Sequence, residues 1–415
     1  MRNDCFALPP GVNWVPLDEA KERLRAVLPT VSDVETIAVG NGARRVLSQD
    51  VVAQRSNPPA PNSAVDGYGF AFAALSNADH HSLPLVDGRA AAGVPFTGSV
   101  LKGNAIRILT GAILPDGVDT VVLEEDVQID GGRVRFEGLP KPNANTRKAG
   151  EDVLAGQVAL ERGTVLGPQG VALLTALGVS EINVYRKLRV AVLSTGDELV
   201  EVGTDISGDH QIYDANRPML LAMFERLGCE TVDIGKLPDD PVAIEDALNK
   251  AAASADVIFT SGGASAGDED HVSQLLREKG SLASWRIALK PGRPLALAVW
   301  NGAPVFGLPG NPVAAFVCAL VFGTPALAKM AGARWQEPTG FQVPAVFQKS
   351  KKPGRREYLR ARLTPQGEAE VFQSEGSGRI SGLSWAEGLI ELPDGAAQIT
   401  PGTSVKFIPY SAFGL

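Results

Sequence analysis

The chain has 415 residues, 44% of them apolar, and a formal net charge of −8. That length exceeds what one compact core supports, so we expect two to four globular domains. The acidic balance argues against broad non-specific binding of nucleic acid, which needs a cationic face.

The three cysteines, Cys5, Cys229 and Cys318, are far apart and odd in number. They predict neither a disulfide framework nor a cysteine metal site, and reduced thiols are typical of a cytoplasmic protein. The first residues lack the apolar stretch of a signal peptide. The longest apolar run, residues 313–322, is too short to span a bilayer and predicts a buried helix.

The N-terminal half begins with a helical pattern and continues with short strands. Leu17, Ala20, Leu24, Val27 and Leu28 recur at helical spacing, which predicts an amphipathic helix. A proline-rich stretch at residues 57–62 then marks a domain junction. From about residue 83 to 137, β-rich runs alternate with turn residues and predict a small all-β module, with strands over residues 105–109, 120–123 and 133–136.

The second half alternates strands with helices before it returns to short strands. Strands are predicted over residues 190–193, 231–234, 256–259, 285–289, 295–299 and 305–308. A helical stripe runs over residues 219–227, and Asp240-Pro241 caps the next helix. This alternation of strands and helices predicts a largely parallel sheet covered by helices. From residue 338 onward, alternating runs predict a C-terminal β-domain.

The loop after the strand at residues 256–259 combines small residues with acids. Residues 260–267 are rich in Gly and Ser, which lets backbone N–H groups approach a phosphate at the start of a helix. Asp268, Glu269 and Asp270 follow directly. Acids beside a phosphate site indicate a metal ion between them.

Two further loops leave the ends of predicted strands, over residues 194–198 and 307–312. Ligands bind beyond the carboxyl ends of the strands in open parallel sheets, so the three loops predict a binding crevice. Lys290 and Arg293 follow another predicted strand. Lys290 could bind an anion through a compact positive charge, and Arg293 through a planar guanidinium with several N–H donors. The alternative for this pair is a solvated turn.

Other polar positions give weaker signals by themselves. In isolation, Asp66 is better interpreted as a turn cap and residues 147–152 as a polar surface loop. The four histidines show no metal-ligand spacing. The chain has no Walker phosphate loop, no HExxH zinc motif, no dinucleotide fingerprint and no GxSxG elbow.

Taken together and in order, these motifs resemble the molybdopterin molybdenumtransferase family of the MoeA/gephyrin type. The matching segments span nearly the whole chain: residues 58–68, 107–112, 149–152, 193–199, 260–271, 290–294 and 307–312. The resemblance implies an α/β plus β fold, an elongated multidomain chain with a molybdopterin-binding parallel-sheet domain flanked by small β-domains. The implied domains are a discontinuous N-terminal linker domain (1–60 and 148–187), an inserted β-rich domain (61–147), the α/β domain (188–335) and a C-terminal β-domain (336–415).

The resemblance also implies a reaction. Molybdate enters adenylylated molybdopterin, AMP leaves, and a divalent cation, normally Mg²⁺, takes part. The implied enzyme is a cytoplasmic homodimer whose partners include the molybdopterin adenylyltransferase and molybdoenzyme apoproteins, with no nucleic acid and no membrane. Two alternatives are a molybdopterin adenylyltransferase and a non-catalytic scaffold of the same family.

Site residues follow from the family motifs. Those implied to be catalytic are Asp66, Asp152, Glu198, Asp239, Asp270 and Lys290. Those implied to bind substrate are Thr110, Arg147, Ser261, Gly262, Gly263, Ser265, Arg293, Pro309, Pro312, Arg360 and Ser377. Asp270 and Asp268 are the implied metal ligands. In the implied dimer, Asp66, Thr110, Arg147 and Asp152 face the crevice of the partner subunit.

The sequence departs from the family pattern in a few places. Ala264 and Ala266 stand where relatives more often have Val, and the smaller side chains are compatible with the same loop. Arg286 stands where some relatives have a functional lysine. A guanidinium and an ammonium are not interchangeable, so Arg286 is left out of the implied catalytic set.

Overall fold

The computed structural model describes residues 14–30, 33–262, 271–292 and 294–415. The α-helices of these residues are α1 Leu17–Val27, α2 Pro168–Ala176, α3 Asn216–Arg226, α4 Pro241–Ser254, α5 His271–Glu278, α6 Pro312–Cys318, α7 Thr324–Met330 and α8 Ser381–Trp385. A π-helical turn, Ala319–Gly323, joins α6 to α7.

The strands are mostly short. Those before the α/β part are β1 Val34–Ala38, β2 Val51–Val52, β3 Asn62–Ser63, β4 Gly67–Phe70, β5 His80–Ala90, β6 Ala105–Ile108, β7 Thr120–Leu123, β8 Val127–Asp130, β9 Arg133–Glu137, β10 Thr146–Arg147, β11 Val158–Leu160 and β12 Glu181–Tyr185. Those that follow are β13 Arg189–Thr195, β14 Leu199–Val200, β15 Ile212–Tyr213, β16 Glu230–Leu237, β17 Val257–Ser261, β18 Ser281–Arg286, β19 Leu289–Lys290, β20 Pro294–Trp300, β21 Ala303–Leu308, β22 Phe341–Pro344, β23 Lys349–Lys351, β24 Arg356–Leu363, β25 Ala369–Val371, β26 Gly388–Leu392, β27 Ala397–Ile399 and β28 Ser404–Pro409.

The predicted all-β module is a six-stranded sheet in the order β7-β4-β6-β5-β9-β8. All its pairings are antiparallel except β5 with β6. Phe70 and Phe136 stack in its core with ring centroids 5.3 Å apart. The predicted strands over residues 105–109, 120–123 and 133–136 are confirmed as β6, β7 and β9.

The segments on either side of this sheet pair with each other. Strand β1 pairs with β12, β2 with β11, and β3 with β10, all antiparallel. Buried Leu47, Leu166, Leu174 and Val184 form their core. The chain therefore leaves this region at β3 and returns to it at β10.

The α/β sheet has the strand order β16-β13-β17-β21-β20-β18. Its first four strands are parallel, and β20 pairs antiparallel with both β21 and β18, so the sheet is largely parallel, as predicted, with β20 reversed. The reversal occurs at Asn301-Gly302, where both residues have positive φ, as a two-residue hairpin turn requires. The strand predicted over residues 285–289 is wrong: β18 ends at Arg286, and β19 is a separate strand.

Helices cover both faces of this sheet. Helices α4 and α5 pack on one face around Ile244, Leu248 and Leu276. The other face carries α3, α6 and α7. Residues Pro312–Met330 have the length and hydropathy of a membrane span, but 83% of the most apolar window is buried inside the protein. The buried helix predicted for this apolar run is confirmed.

Helix α1 packs into the same core as α3, α6 and α7. Leu17, Ala20 and Leu24 are buried against it, as the helical spacing predicts. Val27 is 70% exposed, so its predicted place on the buried face is wrong. The helix ends there, and the extended residue Leu28 turns back into the core.

The C-terminal sheet has the order β19-β24-β26-β28-β22, with β25 pairing on β24. Its first strand, β19, comes from the chain segment of the α/β part and pairs parallel to β24. Tyr358, Leu389 and Ile408 of this sheet belong to the core that also contains α1 and α6. The α/β sheet and the C-terminal sheet therefore share one hydrophobic core.

Two of the three cysteines lie in the described part of the chain, and both are free thiols. Burial raises the pKa of Cys229 and of Cys318 to about 12, so both stay protonated at neutral pH. This agrees with the predicted reduced thiols. Cys5 lies outside the described residues.

An ion pair joins the end of the N-terminal region to the α/β sheet. Arg186 donates from both terminal nitrogens to Asp256, each at 2.7 Å, and the backbone N–H of Arg189 donates to the same carboxylate at 2.8 Å. Burial opposes ionisation of Asp256, but the bonds from Arg186 and Arg189 outweigh it and lower its pKa. The pair fixes the chain immediately before β13 and β17 begin.

Replacing Asp256 by Asn is expected to destabilise the protein by about 1–3 kcal/mol at pH 7, because bonds to a charged group are lost. A lowered carboxylate pKa contributes stability above its unfolded value, and this contribution disappears as pH falls through the folded value. The difference in melting temperature between wild type and Asp256→Asn should therefore shrink below about pH 4.

Calorimetry at pH 7 and at acid pH measures this difference. Glu161→Gln is the matched control, since the Glu161–Arg334 pair is exposed and should contribute little. Equal melting temperatures at pH 7, or a difference that persists unchanged in acid, would contradict the assignment.

Candidate active site

Three predicted loops begin at one edge of the α/β sheet. Strands β13, β17 and β21 are adjacent and parallel, so their carboxyl ends lie side by side. Backbone N–H of Gly262 donates to the carbonyl of Leu308 at 3.2 Å, which joins the second loop to the third. Gly262 has φ +89°, and a Cβ there would lie 2.7 Å from the carbonyl oxygen of Thr195. The starts of the three loops therefore lie together, as predicted, and residues 263–270 of the second loop lie outside the described part of the chain.

Asn216 ties two of these loops together, although the sequence analysis missed it. Its Nδ2 donates to Ser261 Oγ at 2.8 Å and to the carbonyl of Gly310 at 2.7 Å. The residue is 7% exposed, and its Oδ1 accepts no hydrogen bond in the described structure. The signal was the pair of polar residues Asp214 and Asn216, just before the helical stripe predicted over residues 219–227. A buried amide with a spare acceptor beside the loops is suited to receive a donor from a ligand.

A buried polar network supports the first loop from below. Ser194 Oγ donates to the carboxylate of Asp214, and Arg217 Nε donates to the same group at 3.1 Å. Arg217 also pairs with Asp233 and Glu201. Burial opposes the charge on Arg217, but its acidic partners outweigh this and raise its pKa. The network fixes where β13 ends.

Acidic side chains form one rim of the crevice. Asp197 and Asp239 bond reciprocally, each backbone N–H donating to the other's carboxylate, at 3.2 and 3.0 Å. Glu198 is exposed, and its carboxylate lies close over Gly196. Asp240 accepts from the N–H of Ala243 and caps α4, as predicted. The structure thus brings Glu198 and Asp239 to the same rim.

Lys290 lies at the seam between the two sheets. It belongs to β19 and is therefore part of the C-terminal sheet. The sequence had predicted instead that Lys290 follows a strand of the α/β sheet. Its Nζ lies 2.8 Å from Glu375 Oε2 and 3.4 Å from Glu357 Oε2. Lys349 pairs with the same two carboxylates. The alternative of a solvated turn is wrong for Lys290.

A cavity of about 160 Å³ opens beside this cluster. Its wall includes Lys290, Lys349, Arg360, Glu375, Tyr358 and Phe372. Arg360 is 5% exposed, donates to the carbonyls of Ser374, Gly376 and Arg379, and stacks on Phe372 with its Cζ 4.8 Å from the ring centre. Burial lowers its pKa, and none of its described bonds goes to a carboxylate.

The loop that carries Ser377 touches the third loop of the crevice. The carbonyl of Ser377 accepts from the N–H of Val313, in the first turn of α6. Pro312 opens that helix, and Pro309 is buried just before it. Arg360, Ser377, Pro309 and Pro312 therefore belong to one continuous wall.

Four predicted residues lie in the N-terminal half of the chain and bond locally. Asp66 accepts from Thr110 Oγ1 at 2.6 Å and from its N–H at 2.7 Å, and these bonds lower the pKa of the Asp66 carboxyl. Asp152 accepts from Asn57 Nδ2 at 2.9 Å. Arg147 is exposed on β10. Among the described residues, none of the bonds of these four side chains reaches the crevice loops.

Five predicted residues lie outside the described part of the chain. They are Gly263, Ser265, Asp268, Asp270 and Arg293. The first four lie between β17 and α5, where the sequence predicted a strand and the start of a helix, and Arg293 lies between β19 and β20.

Three family models match the chain in order. They are the MoeA N-terminal region (domain I and II) over residues 15–178, a probable molybdopterin binding domain over residues 191–329, and the MoeA C-terminal region (domain IV) over residues 342–410. A molybdopterin molybdenumtransferase of Haemophilus influenzae is 38% identical over 402 residues, which cover 95% of this chain and 98% of the relative. The chain belongs to the MoeA family.

Further relatives agree with this membership. A molybdopterin molybdenumtransferase of Nostoc sp. is 33% identical over 91% of this chain and 89% of its own. The crystal structure of the molybdopterin biosynthesis MoeA protein from Pyrococcus horikoshii OT3 has a TM-score of 0.82 at 29% identity, covering 96% of this chain and 100% of that one. The predicted family, fold class and transferase class in molybdenum-cofactor biosynthesis are confirmed.

In this MoeA-family chain, Gly262→Ala is expected to disturb the crevice more than a glycine change without a close neighbour. A positive φ costs a non-glycine residue about 1–2 kcal/mol, and the added Cβ would also clash with Thr195. Gly235→Ala is the matched control, because Gly235 has φ +102° and open space around its Cβ position.

Urea unfolding should show Gly262→Ala to be less stable than Gly235→Ala by about 1–3 kcal/mol, the usual cost of overpacking. Equal losses in the two variants would mean that the loops are not as closely packed as described.

Proposed function

We propose that this protein inserts molybdate into adenylylated molybdopterin and releases AMP. The observation that carries the proposal is the meeting of three loops at adjacent parallel strand ends, beside a cation-lined cavity, in a chain of this family. The small residues of the second loop are suited to a pyrophosphate, since backbone N–H groups can approach it closely. The cations at the seam are suited to a tetrahedral oxyanion.

The residues of the crevice floor and of the seam have distinct roles in this proposal. Ser261 and Gly262 form the floor on which the pyrophosphate rests, and Asn216 holds that floor against Gly310. Lys290 offers a point charge to a terminal phosphate or to the pterin, and Arg360, Ser377 and the undescribed Ser265 and Arg293 serve molybdate. Transition-state charge on the leaving phosphate would then be stabilised by groups already in place.

A divalent cation, Mg²⁺, belongs to the proposal. Carboxylate oxygens are the donors that Mg²⁺ prefers, and it is commonly held by one or two carboxylates together with substrate phosphates. Within the described residues, no group of three or more His, Cys, Asp or Glu side chains converges on one point. The candidate ligands, which the family resemblance implies, are Asp270 and Asp268, with Glu198 on the adjoining rim. A bound Mg²⁺ would neutralise charge on the pyrophosphate.

We further infer a homodimer in which each crevice is completed by the partner subunit. The local bonding of Asp66 to Thr110 and of Asp152 to Asn57 leaves these groups on the surface of the N-terminal half, available to face another chain. The four domains implied by the sequence, 1–60 with 148–187, 61–147, 188–335 and 336–415, are part of this proposal. So are a cytoplasmic location and transfer of the product to molybdoenzyme apoproteins.

The two alternatives have less support. A molybdopterin adenylyltransferase would need the α/β part alone, yet the chain matches the family over its N-terminal and C-terminal regions as well. A non-catalytic scaffold would have no need of a charge-balanced cavity beside the crevice. Neither alternative uses the cluster around Lys290.

Purified protein incubated with adenylylated molybdopterin, Mg²⁺ and molybdate should release AMP in a molybdate-dependent manner. Liquid chromatography of the nucleotide products measures this release. The matched control omits molybdate. Absence of molybdate-dependent AMP release would contradict the proposed function.

The shared crevice can be tested by mixing two inactive variants. Asp66→Asn and Asp270→Asn should each lose most activity, but a heterodimer restores one intact site. Random reassortment should return about a quarter of wild-type AMP release, because half the dimers are mixed and each has one good site of two.

A mixture of Asp66→Asn with Asp152→Asn is the control. Both residues are proposed to serve the partner's crevice, so neither site of that heterodimer is intact, and activity should stay absent. Failure of the first mixture to regain activity after confirmed subunit exchange would contradict the shared site.

A further inference from the structure

The two carboxylates that hold Lys290 differ in how firmly they are placed. Glu357 lies within β24, directly opposite Lys290 in the β19–β24 register, and its side chain is 10% exposed. Glu375 lies beyond the end of β25, outside any strand, and its side chain is 46% exposed. One partner is fixed by a sheet, and the other reaches in from a loop.

Glu375 nevertheless makes the closer contacts. It lies 2.8 Å from Lys290 and closer still to Lys349, whereas Glu357 lies 3.4 and 3.2 Å from the same two ammonium groups. Burial opposes ionisation of Glu375, but the bonds from Lys290 and Lys349 outweigh it and lower its pKa. Glu375 is therefore a charged counter-ion at neutral pH.

The charges around the cavity identify what could replace this carboxylate. In the cavity wall, Lys290, Lys349 and Arg360 contribute three positive charges and Glu375 one negative charge. Glu357 is not part of the wall but contacts both lysines and contributes a second negative charge. If Glu375 moved away, the remaining groups would carry two net positive charges, which match a dianion. The cavity of about 160 Å³ is the space of roughly five liquid waters, enough for a tetrahedral oxyanion of five heavy atoms.

We propose that Glu375 is an exchangeable counter-ion, which an oxyanion substrate displaces from Lys290 and Lys349. The Glu375 side chain then swings outward on its loop, while Glu357 stays and positions both lysines. This inference rests on the proposed function, because it assumes that the cavity beside Lys290 receives an anionic substrate. No bond is made or broken other than hydrogen bonds and ion pairs.

Such an exchange has a consequence for selectivity. An entering anion must compensate the cations better than the carboxylate that it displaces. A dianion does so, whereas a monoanion only substitutes one negative charge for another. Glu375 therefore reduces affinity for all anions but disfavours singly charged ones most.

The test measures binding of molybdate alone to the full chain by isothermal titration calorimetry at neutral pH. Glu375→Gln removes the competing charge and should bind molybdate about fivefold more tightly, as expected from the modest strength of part-exposed ion pairs. Glu375→Asp keeps the charge and should stay near wild type. Glu370→Gln is the matched control, because Glu370 pairs with Arg362 in the same sheet, outside the cavity wall.

The outcomes are distinguishable. Tighter binding by Glu375→Gln, or binding by that variant when wild type shows none, supports the inference. Equal or weaker binding by Glu375→Gln overturns it, as does absence of binding by both proteins. Glu375→Ser serves as a second variant if Glu375→Gln does not fold. Since AMP release by wild type tests the proposed function separately, normal release with unchanged molybdate affinity in Glu375→Gln would defeat this inference alone.

Discussion

The pairing of β19 with β24 is the constraint on which the candidate site depends. The two strands pair at only two positions, Leu289 with Arg356 and Lys290 with Glu357, yet this pairing joins the α/β segment to the C-terminal sheet. A common hydrophobic core on the same side of the molecule fixes the two sheets against each other. Packing of that kind is not continuously deformable, so the position of Lys290 relative to the crevice loops is determined by the fold and not by the lysine itself.

The crevice loops are held by a different means. Where the second loop begins, Gly262 bonds to the backbone of Leu308, and one buried amide, Asn216, joins Ser261 to Gly310, so this part of the floor is held by uncharged groups. A floor built in this way keeps its shape whether or not an anion is bound. The cation cluster at the seam cannot do the same, because uncompensated charges in a part-buried cleft would be costly.

Local signals in the sequence were enough for much of this fold. Periodicity located α1, β17 and the strands of the inserted sheet, and Asp240-Pro241 located the start of α4. The Asn301-Gly302 hairpin, which reverses β20, was readable from the sequence but was not predicted. The partners of Lys290 were beyond reach, because Glu357 and Glu375 are 67 and 85 residues away along the chain. Side-chain pairs set by a tertiary register leave no periodic trace.

Acids close to an anion site seemed contradictory in the sequence, where Asp268, Glu269 and Asp270 follow a Gly/Ser loop. The cluster around Lys290 offers a physical reason for such pairs. A protein that binds a dianion must also be stable before the dianion binds. In that unliganded state, the positive charges of its binding site are neutralised by the chain's own carboxylates. A fixed acid such as Glu357 keeps the lysines in place, and an exposed one such as Glu375 compensates charge that the substrate will later supply. Acids and cations in one site are therefore complementary requirements of the empty and the occupied protein.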